Sequence, residues 1–259
     1  MALYLELEHL TRIAGEAEAR SVIRDIQGSL NVTSSNLFAF GGLVLFVGIM
    51  LSVFQQVIGI NAVLYYAPLM FKNMGASTDS ALLQTIIVGV ANIVFTLVAL
   101  VTVDRWGRKP LLVLGALVMA VSMTTLGFLF SSGNVGTAAL VAVVAYIAGF
   151  ALSWGPVVWV LLSEIFPNAI KGKAMALAVA MQWIANLFVS WSFKVLDGNS
   201  VLNAMFNHGF SYWIYGAMSV LAALFVLRFV PETKGRTLEA IQDLWGRREA
   251  DVVAEKAPV

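Results

Sequence analysis

The chain has 259 residues, 59% of them hydrophobic and only 12% charged, with a mean hydropathy of +0.85. Soluble domains carry about 25% charged residues, so the composition excludes a soluble domain and defines an integral membrane protein. A net charge of +1 gives no footing for nucleic acid, and the lack of cysteine excludes disulfides, thiolate nucleophiles and cysteine metal sites.

Residues 1–36 stand apart from the rest. Leu3, Leu7, Leu10, Ala14 and Ala17 recur at helical spacing among Glu6, Glu8, Arg12, Glu16, Glu18 and Arg20. The spacing predicts an amphipathic helix, extended by Val22, Ile23 and Ile26, with a linker over 28–36. The helix is too charged to cross a bilayer and lacks the basic start and apolar core of a secretory signal. It is assigned to the cytoplasm, packed on the membrane domain. Adsorption to the membrane surface is the alternative, weakened by its mixed charge. His9 lies here and His208 lies far away; neither belongs to a metal-ligand motif, and both read as surface histidines.

Six apolar segments follow within a transmembrane domain over 37–230: residues 37–71, 80–103, 110–130, 137–162, 174–193 and 210–229. A spanning helix needs ~20 residues, so the last five fit one crossing each. The first is too long for one straight helix. Gly59 and Pro68 mark possible breaks, and the expectation is one crossing bent or unwound around Gly59. Irregular backbone at membrane depth is tolerated only where it is buried in protein or lines a cavity.

That first segment contains Phe54-Gln55-Gln56-Val57-Ile58-Gly59-Ile60-Asn61-Ala62-Val63-Leu64-Tyr65-Tyr66. Amides in lipid are costly unless they find partners. Each offers a donor and an acceptor, which suits a neutral, hydroxyl-rich ligand such as a sugar. The plainer reading is that Gln55, Gln56 and Asn61 only join helices.

Further polar residues lie in other segments. Asn92 is in the middle of the second. Gln182 and Asn186, four apart in the fifth, share a face, with Trp183 beside them. The fourth carries Phe150, Trp154, Gly155, Pro156 and Trp159. Pro156 lacks a backbone donor and is expected to bend or break its helix. Trp159, one turn on, offers an apolar face to a sugar ring or anchors at the interface. Gly89, Gly115, Gly127 and Gly149 read as points of close helix packing.

An even number of crossings puts both termini on one side. That side receives 14 of the 16 lysines and arginines; Lys72 and Lys194 alone fall opposite. The bias predicts that both termini are cytoplasmic. No Asp, Glu, Lys, Arg or His lies within the segments away from their ends. The chain therefore supplies no intramembrane relay for proton coupling and no nucleophile with a base, so it does not read as an enzyme.

The loop Asp104-Arg105-Trp106-Gly107-Arg108-Lys109 joins the second and third crossings. Ser163-Glu164-Ile165-Phe166-Pro167 leads from the fourth to the fifth on the same side. Asp104, Arg108 and Glu164 are candidates for a charge-assisted network that holds a gate closed, or they only set topology. Pro231-Glu232-Thr233-Lys234-Gly235 ends the last crossing. A cytoplasmic tail over 231–259 follows, with a short helix carrying Leu238, Ile241, Leu244 and Trp245.

Together these motifs resemble the major facilitator superfamily, sugar porter branch. The loop 104–109 is similar to the superfamily's D-R-x-G-R-[RK] loop. The Gln55–Tyr66 stretch, the loop 163–167 and the tail 231–235 resemble sugar porter signatures. The resemblance implies an all-α fold of twelve transmembrane helices in two halves, of which this chain matches the six-helix C-terminal half plus short cytoplasmic helices. It implies transmembrane transport of D-xylose or a related pentose or hexose across a bacterial inner (plasma) membrane, as half of a sugar–proton symporter. It implies that Gln55, Gln56, Asn61, Trp159 and Gln182 bind sugar. Tyr65, Asn92, Phe150, Gly155 and Trp183 would line the pocket, with Asp104, Arg108 and Glu164 in a cytoplasmic charge network. Lys171 departs from the family, which often has arginine there. No metal or organic cofactor is implied; the proton is the coupling ion, and its carboxylate belongs to the missing half. The implied partners are sugar, the bilayer, and an N-terminal six-helix half or a second copy. A facilitative uniporter half and a non-transporting sugar-sensing or assembly subunit are the alternatives.

Overall fold

The computed structural model describes residues 15–16, 37–38, 40–73, 75–236 and 241. The amphipathic helix and linker expected over 1–36 and the tail helix expected after 237 lie almost wholly outside the described residues. Within them, six helical spans are long and apolar enough to cross a membrane.

The first span runs over Gly42–Asn73 as two helices, α1 (Gly42–Val57) and α2 (Ile60–Asn73). They are separated by Ile58 and Gly59. Gly59 has φ +96°, a conformation that costs a side-chain-bearing residue dearly. Pro68 does not break the span; it lies inside α2. The second span is α3 (Thr78–Trp106), started by Ser77, whose hydroxyl oxygen accepts the Ser80 N–H at 3.3 Å. Gly107 alone, at φ +91°, turns the chain into α4 (Arg108–Ser131).

The fourth span is again two helices, α5 (Thr137–Leu152) and α6 (Trp154–Ile165). The break falls at Ser153, not at Pro156, where the sequence placed it. Pro156 is instead the third residue of α6. A proline cannot donate to the carbonyl four residues back and its ring crowds that carbonyl. The preceding helix therefore ends at Leu152, and Pro156 occupies a first turn, where its missing N–H costs nothing. The fifth span is α7 (Lys171–Asp197) and the sixth α9 (Phe210–Phe229). Between them lies a short helix the sequence did not announce, α8 (Ser200–Phe206), capped by Asn199 Oδ1, which accepts the N–H of Val201 and Leu202 at 3.0 Å each. His208, expected at the surface, is partly buried, with Nδ1 2.8 Å from Asp197 Oδ1.

The core is aromatic and close-packed. Trp154, Tyr146, Tyr212, Phe71, Phe130 and Phe166 are fully buried. Small residues let α4 and α5 approach: a Cβ on Gly115 would fall 2.8 Å from the Gly149 carbonyl oxygen, and one on Gly149 would fall 3.3 Å from that of Gly115. Gly127 makes room for Trp213 of α9 in the same way. Gly89 does not fit this pattern, since nothing in the described chain lies within 4 Å of a Cβ there. It sits on α3, whose most apolar stretch is only 11% buried, against 56% for α4. The outward face of α3 is almost wholly apolar, with Leu83, Ile86, Ile93 and Leu97 exposed.

Candidate functional site

The two broken spans meet at their breaks. Gln55 and Gln56 are on the last turn of α1, and Asn61 is on the first turn of α2. Gln55 reaches across to α6, where its Nε2 donates to the carbonyls of Trp154 (2.8 Å) and Gly155 (3.3 Å). These carbonyls open α6, and Trp154 is held in turn by its ring N–H, which donates to the Leu112 carbonyl on α4 at 2.9 Å. Gln182 of α7 donates its Nε2 to Gln55 Oε1 at 2.7 Å.

A second string of amides runs beside the first. Asn61 Nδ2 donates to Gln56 Oε1 at 2.7 Å and to Asn186 Oδ1 at 3.0 Å; the Ser190 hydroxyl also donates to Asn186 Oδ1, at 3.3 Å. Gln55, Gln56, Gln182 and Asn186 are buried. Five amides from three helices thus form one cluster at the depth of both breaks. Asn186 was legible as sharing a face with Gln182, but its bond to Asn61 needed the fold. Tyr146 was not legible: its hydroxyl donates to the Ile58 carbonyl at 2.9 Å, at the break itself.

The cluster keeps polar capacity in reserve. Gln182 Oε1 is buried with no hydrogen-bond partner among the described residues. Gln56 Nε2 and Asn186 Nδ2 make no hydrogen bond among the described residues. A buried polar atom without a partner costs free energy unless a ligand or water supplies one. Acceptor and donors left open together match hydroxyl groups, which both give and take a hydrogen bond. Among the described residues no charged side chain joins the cluster, which suits a neutral ligand.

The other expected residues are placed around it unequally. Phe150 is half-buried on α5, and its ring lies 3.2 Å from where a Cβ on Gly155 would sit, so these two meet at the second break. Trp159 is 40% exposed on α6, Trp183 63% exposed on α7 and Tyr65 56% exposed on α2. None of the three makes a hydrogen bond with the amides among the described residues. Asn92 is half-buried on α3, and its amide makes no hydrogen bond there. Hydrogen bonds therefore join Gln55, Gln56, Asn61 and Gln182 directly, and Trp159, Trp183, Tyr65 and Asn92 take no part in that bonding among the described residues.

At the charged end of the bundle Arg108 is the hub. Its NH1 lies 3.0 Å from Asp104 Oδ1 and its NH2 2.8 Å from Glu164 Oε1. Glu164 also accepts the Thr233 hydroxyl proton, at 2.6 Å through Oε2. Glu232, quoted from sequence only as part of the tail motif, caps α4: its Oε1 accepts the Arg108 N–H and its Oε2 the Lys109 N–H, both at 3.0 Å. Two orphan donors of a helix N-terminus are satisfied by one carboxylate, which the helix dipole also favours. Gly107 has no Cβ at the point where one would meet Glu232 Oε2 at 2.7 Å. The network thus ties α3, α4, α6 and the segment after α9 together.

Six apolar spans, two of them broken where buried amides converge, define a multi-pass membrane protein with the architecture of secondary transporters. A family profile described as "Sugar (and other) transporter" matches residues 8–245, and the chain belongs to this family. It is 58% identical over 239 residues to the D-xylose-proton symporter of Escherichia coli K12, covering 91% of this chain and 49% of that protein. It is 52% identical to the glucose facilitated diffusion protein of Zymomonas mobilis, covering 91% and 51%. The chain therefore spans about half the length of these relatives. Among solved structures, the major facilitator proton:xylose symporter XylE bound to 6-bromo-6-deoxy-D-glucose superposes with TM-score 0.81 at 57% identity, covering 92% of this chain and 51% of that one. The inward open conformation of the xylose transporter XylE from E. coli gives TM-score 0.71 at 53% identity, covering 91% and 48%.

Proposed function

We propose that this chain supplies the C-terminal half of a transporter that moves D-xylose or a related pentose or hexose across the bacterial inner membrane by alternating access. The observation that carries the reading is the cluster of five uncharged amides at the two helix breaks, with donors and an acceptor still open. Sugar contacts are assigned to Gln55, Gln56, Asn61 and Gln182, with Trp159 supplying an apolar face. Tyr65, Asn92, Phe150, Gly155 and Trp183 border the pocket. Alternating access needs a second bundle to rock against, so the partner is a complementary six-helix half, or a second copy of this chain. Asp104, Arg108 and Glu164 form the cytoplasmic latch, with both termini on that side.

Proton coupling is the leading mode, with the proton carried by a carboxylate of the complementary half. Facilitated diffusion is the second reading, favoured by the 52% identity to a protein named for it. The test is a fusion of the N-terminal half of the E. coli D-xylose-proton symporter to this chain, assayed for labelled xylose uptake in cells lacking their own xylose carrier. Uptake that collapses with an uncoupler supports the symporter half. Uptake indifferent to the uncoupler supports the facilitator. Fusion protein that inserts in the membrane but neither binds nor moves sugar ends the proposal.

A further inference from the structure

The break in the first span is gripped from two sides by tyrosines that make no hydrogen bond to the amides. Tyr146 of α5 is fully buried, and its hydroxyl donates to the Ile58 carbonyl at 2.9 Å. That carbonyl closes α1 among buried residues, where an unpaired backbone oxygen is expensive. Tyr215 of α9 acts through its ring. A Cβ on Gly59 would lie 2.6, 2.7 and 2.9 Å from three of its ring carbons, so the bare Gly59 backbone rests directly on the ring. Phe193 of α7 stacks near the ring, with centroids 6.3 Å apart. The Tyr215 hydroxyl is buried and has no hydrogen-bond partner among the described residues. The atoms that meet Gly59 are ring carbons, so the ring is what the grip uses.

The consequence concerns the amides on either side. Gln55 and Gln56 lie just before Ile58 and Gly59, and Asn61 lies two residues after Gly59. The backbone angles at the break set where the first two stand relative to the third, and hence whether Asn61 can span Gln56 and Asn186 at 2.7 and 3.0 Å. We infer that Tyr146, through its hydroxyl, and Tyr215, through its ring, are positioning residues that fix the helix break and thereby the geometry of the sugar-binding amides. The inference rests on the reading of the amide cluster as the sugar site.

Three substitutions test it: Tyr146→Phe, Tyr215→Leu and Tyr215→Phe. Backbone hydrogen–deuterium exchange over residues 58–63 of the whole chain in membranes reads the grip without any sugar. Tyr146→Phe should quicken exchange there about tenfold, as expected for the loss of roughly one hydrogen bond, and Tyr215→Leu should quicken it through lost packing on Gly59, while Tyr215→Phe leaves it unchanged. Exchange unchanged in Tyr146→Phe and Tyr215→Leu overturns the inference. So does a rise spread evenly over all six spans, which is general loss of fold. Equal effects of Tyr215→Phe and Tyr215→Leu would assign the role to the hydroxyl and overturn the role given to the ring. In the fusion protein, the two active substitutions should raise the sugar KM about five- to tenfold with the maximal rate nearly kept. Faster exchange with an unaltered KM overturns the link from break to amides. A parental fusion that carries no sugar fails the proposed function instead, and the exchange result still decides the grip.

Discussion

Gln55 and Gln56 are neighbours with different tasks. Gln55 has both ends of its amide engaged inside the protein, on two α6 carbonyls and on Gln182. Gln56 accepts from Asn61 and keeps its Nε2 open. Removing Gln55 therefore strips partners from buried groups on two other helices, and removing Gln56 strips one. Leaving a buried group unpaired costs about 1–3 kcal/mol, while an average hydrogen bond contributes about 0.5–1.5 kcal/mol net. Gln56→Ala should raise the sugar KM of the fusion protein about tenfold with little change in its thermal midpoint. Gln55→Ala should lower the midpoint as well, because α1 loses its tie to α6. Uptake kinetics beside thermal unfolding of the same two variants check this, and equal midpoints would remove the distinction. The residue types were legible in the sequence because amides are conspicuous in an apolar run. Their pairing was not, since Gln55 and Gln182 are 127 residues apart and helical spacing shows only which residues share a face of one helix.

The elements were legible wherever a local cause fixes them. Gly59 breaks the first span because only glycine takes φ +96° at no steric cost, and Gly107 makes the one-residue turn into α4 for the same reason. The second break was misplaced because a proline acts on the turn before it, so the end of α5 is set at Leu152 by a residue that itself sits in α6. Least legible was the cap on α4. In sequence Glu232 is one acidic residue after the last crossing; in the fold it closes a helix that begins 124 residues earlier. Glu232→Ala should destabilise the chain by about 1–2 kcal/mol, the usual range for losing a cap, and should loosen Lys109 and Arg108 together. Arg108→Lys tests the hub differently. A lysine is a point charge without the planar fork and cannot hold Asp104 and Glu164 in the same geometry. If the network latches the cytoplasmic side, Arg108→Lys in the fusion protein should shift the carrier toward the inward-open state, read as faster thiol labelling of a cysteine placed at Gly155. Unchanged labelling would leave the network a purely structural tie.

At the scale of the whole molecule the faces are unequal. The most apolar stretches of α3 and α7 are 11% and 28% buried, against 61% for the first span. Lipid can cover Leu83, Ile86 and Leu187, while Gln182 and Asn186 of α7 are buried within the bundle, as hydrocarbon would give their amides nothing to bond. The complementary half proposed above would pack across these exposed faces of α3 and α7. In major facilitator proteins the two halves are related by an axis along the membrane normal, so the complementary half must share this chain's orientation. Orientation is therefore the first thing to establish, and the lack of native cysteine makes it directly readable. Lys72 and Lys194 are exposed at one end; Gly172 lies at the other, with nothing within 4 Å of a Cβ placed there. Among the described residues Arg105, Arg108, Lys109, Lys171, Lys173, Arg228, Lys234 and Arg236 lie toward the Gly172 end, and the positive-inside rule predicts that this end is cytoplasmic. Lys72→Cys and Lys194→Cys should each react with an impermeant maleimide on intact cells, and Gly172→Cys only after permeabilisation. The reverse pattern would place Asp104, Arg108, Glu164 and Glu232 outside and end their role as a cytoplasmic latch. Labelling of all three on intact cells would mean that the chain inserts both ways, which no pairing along the membrane normal can use.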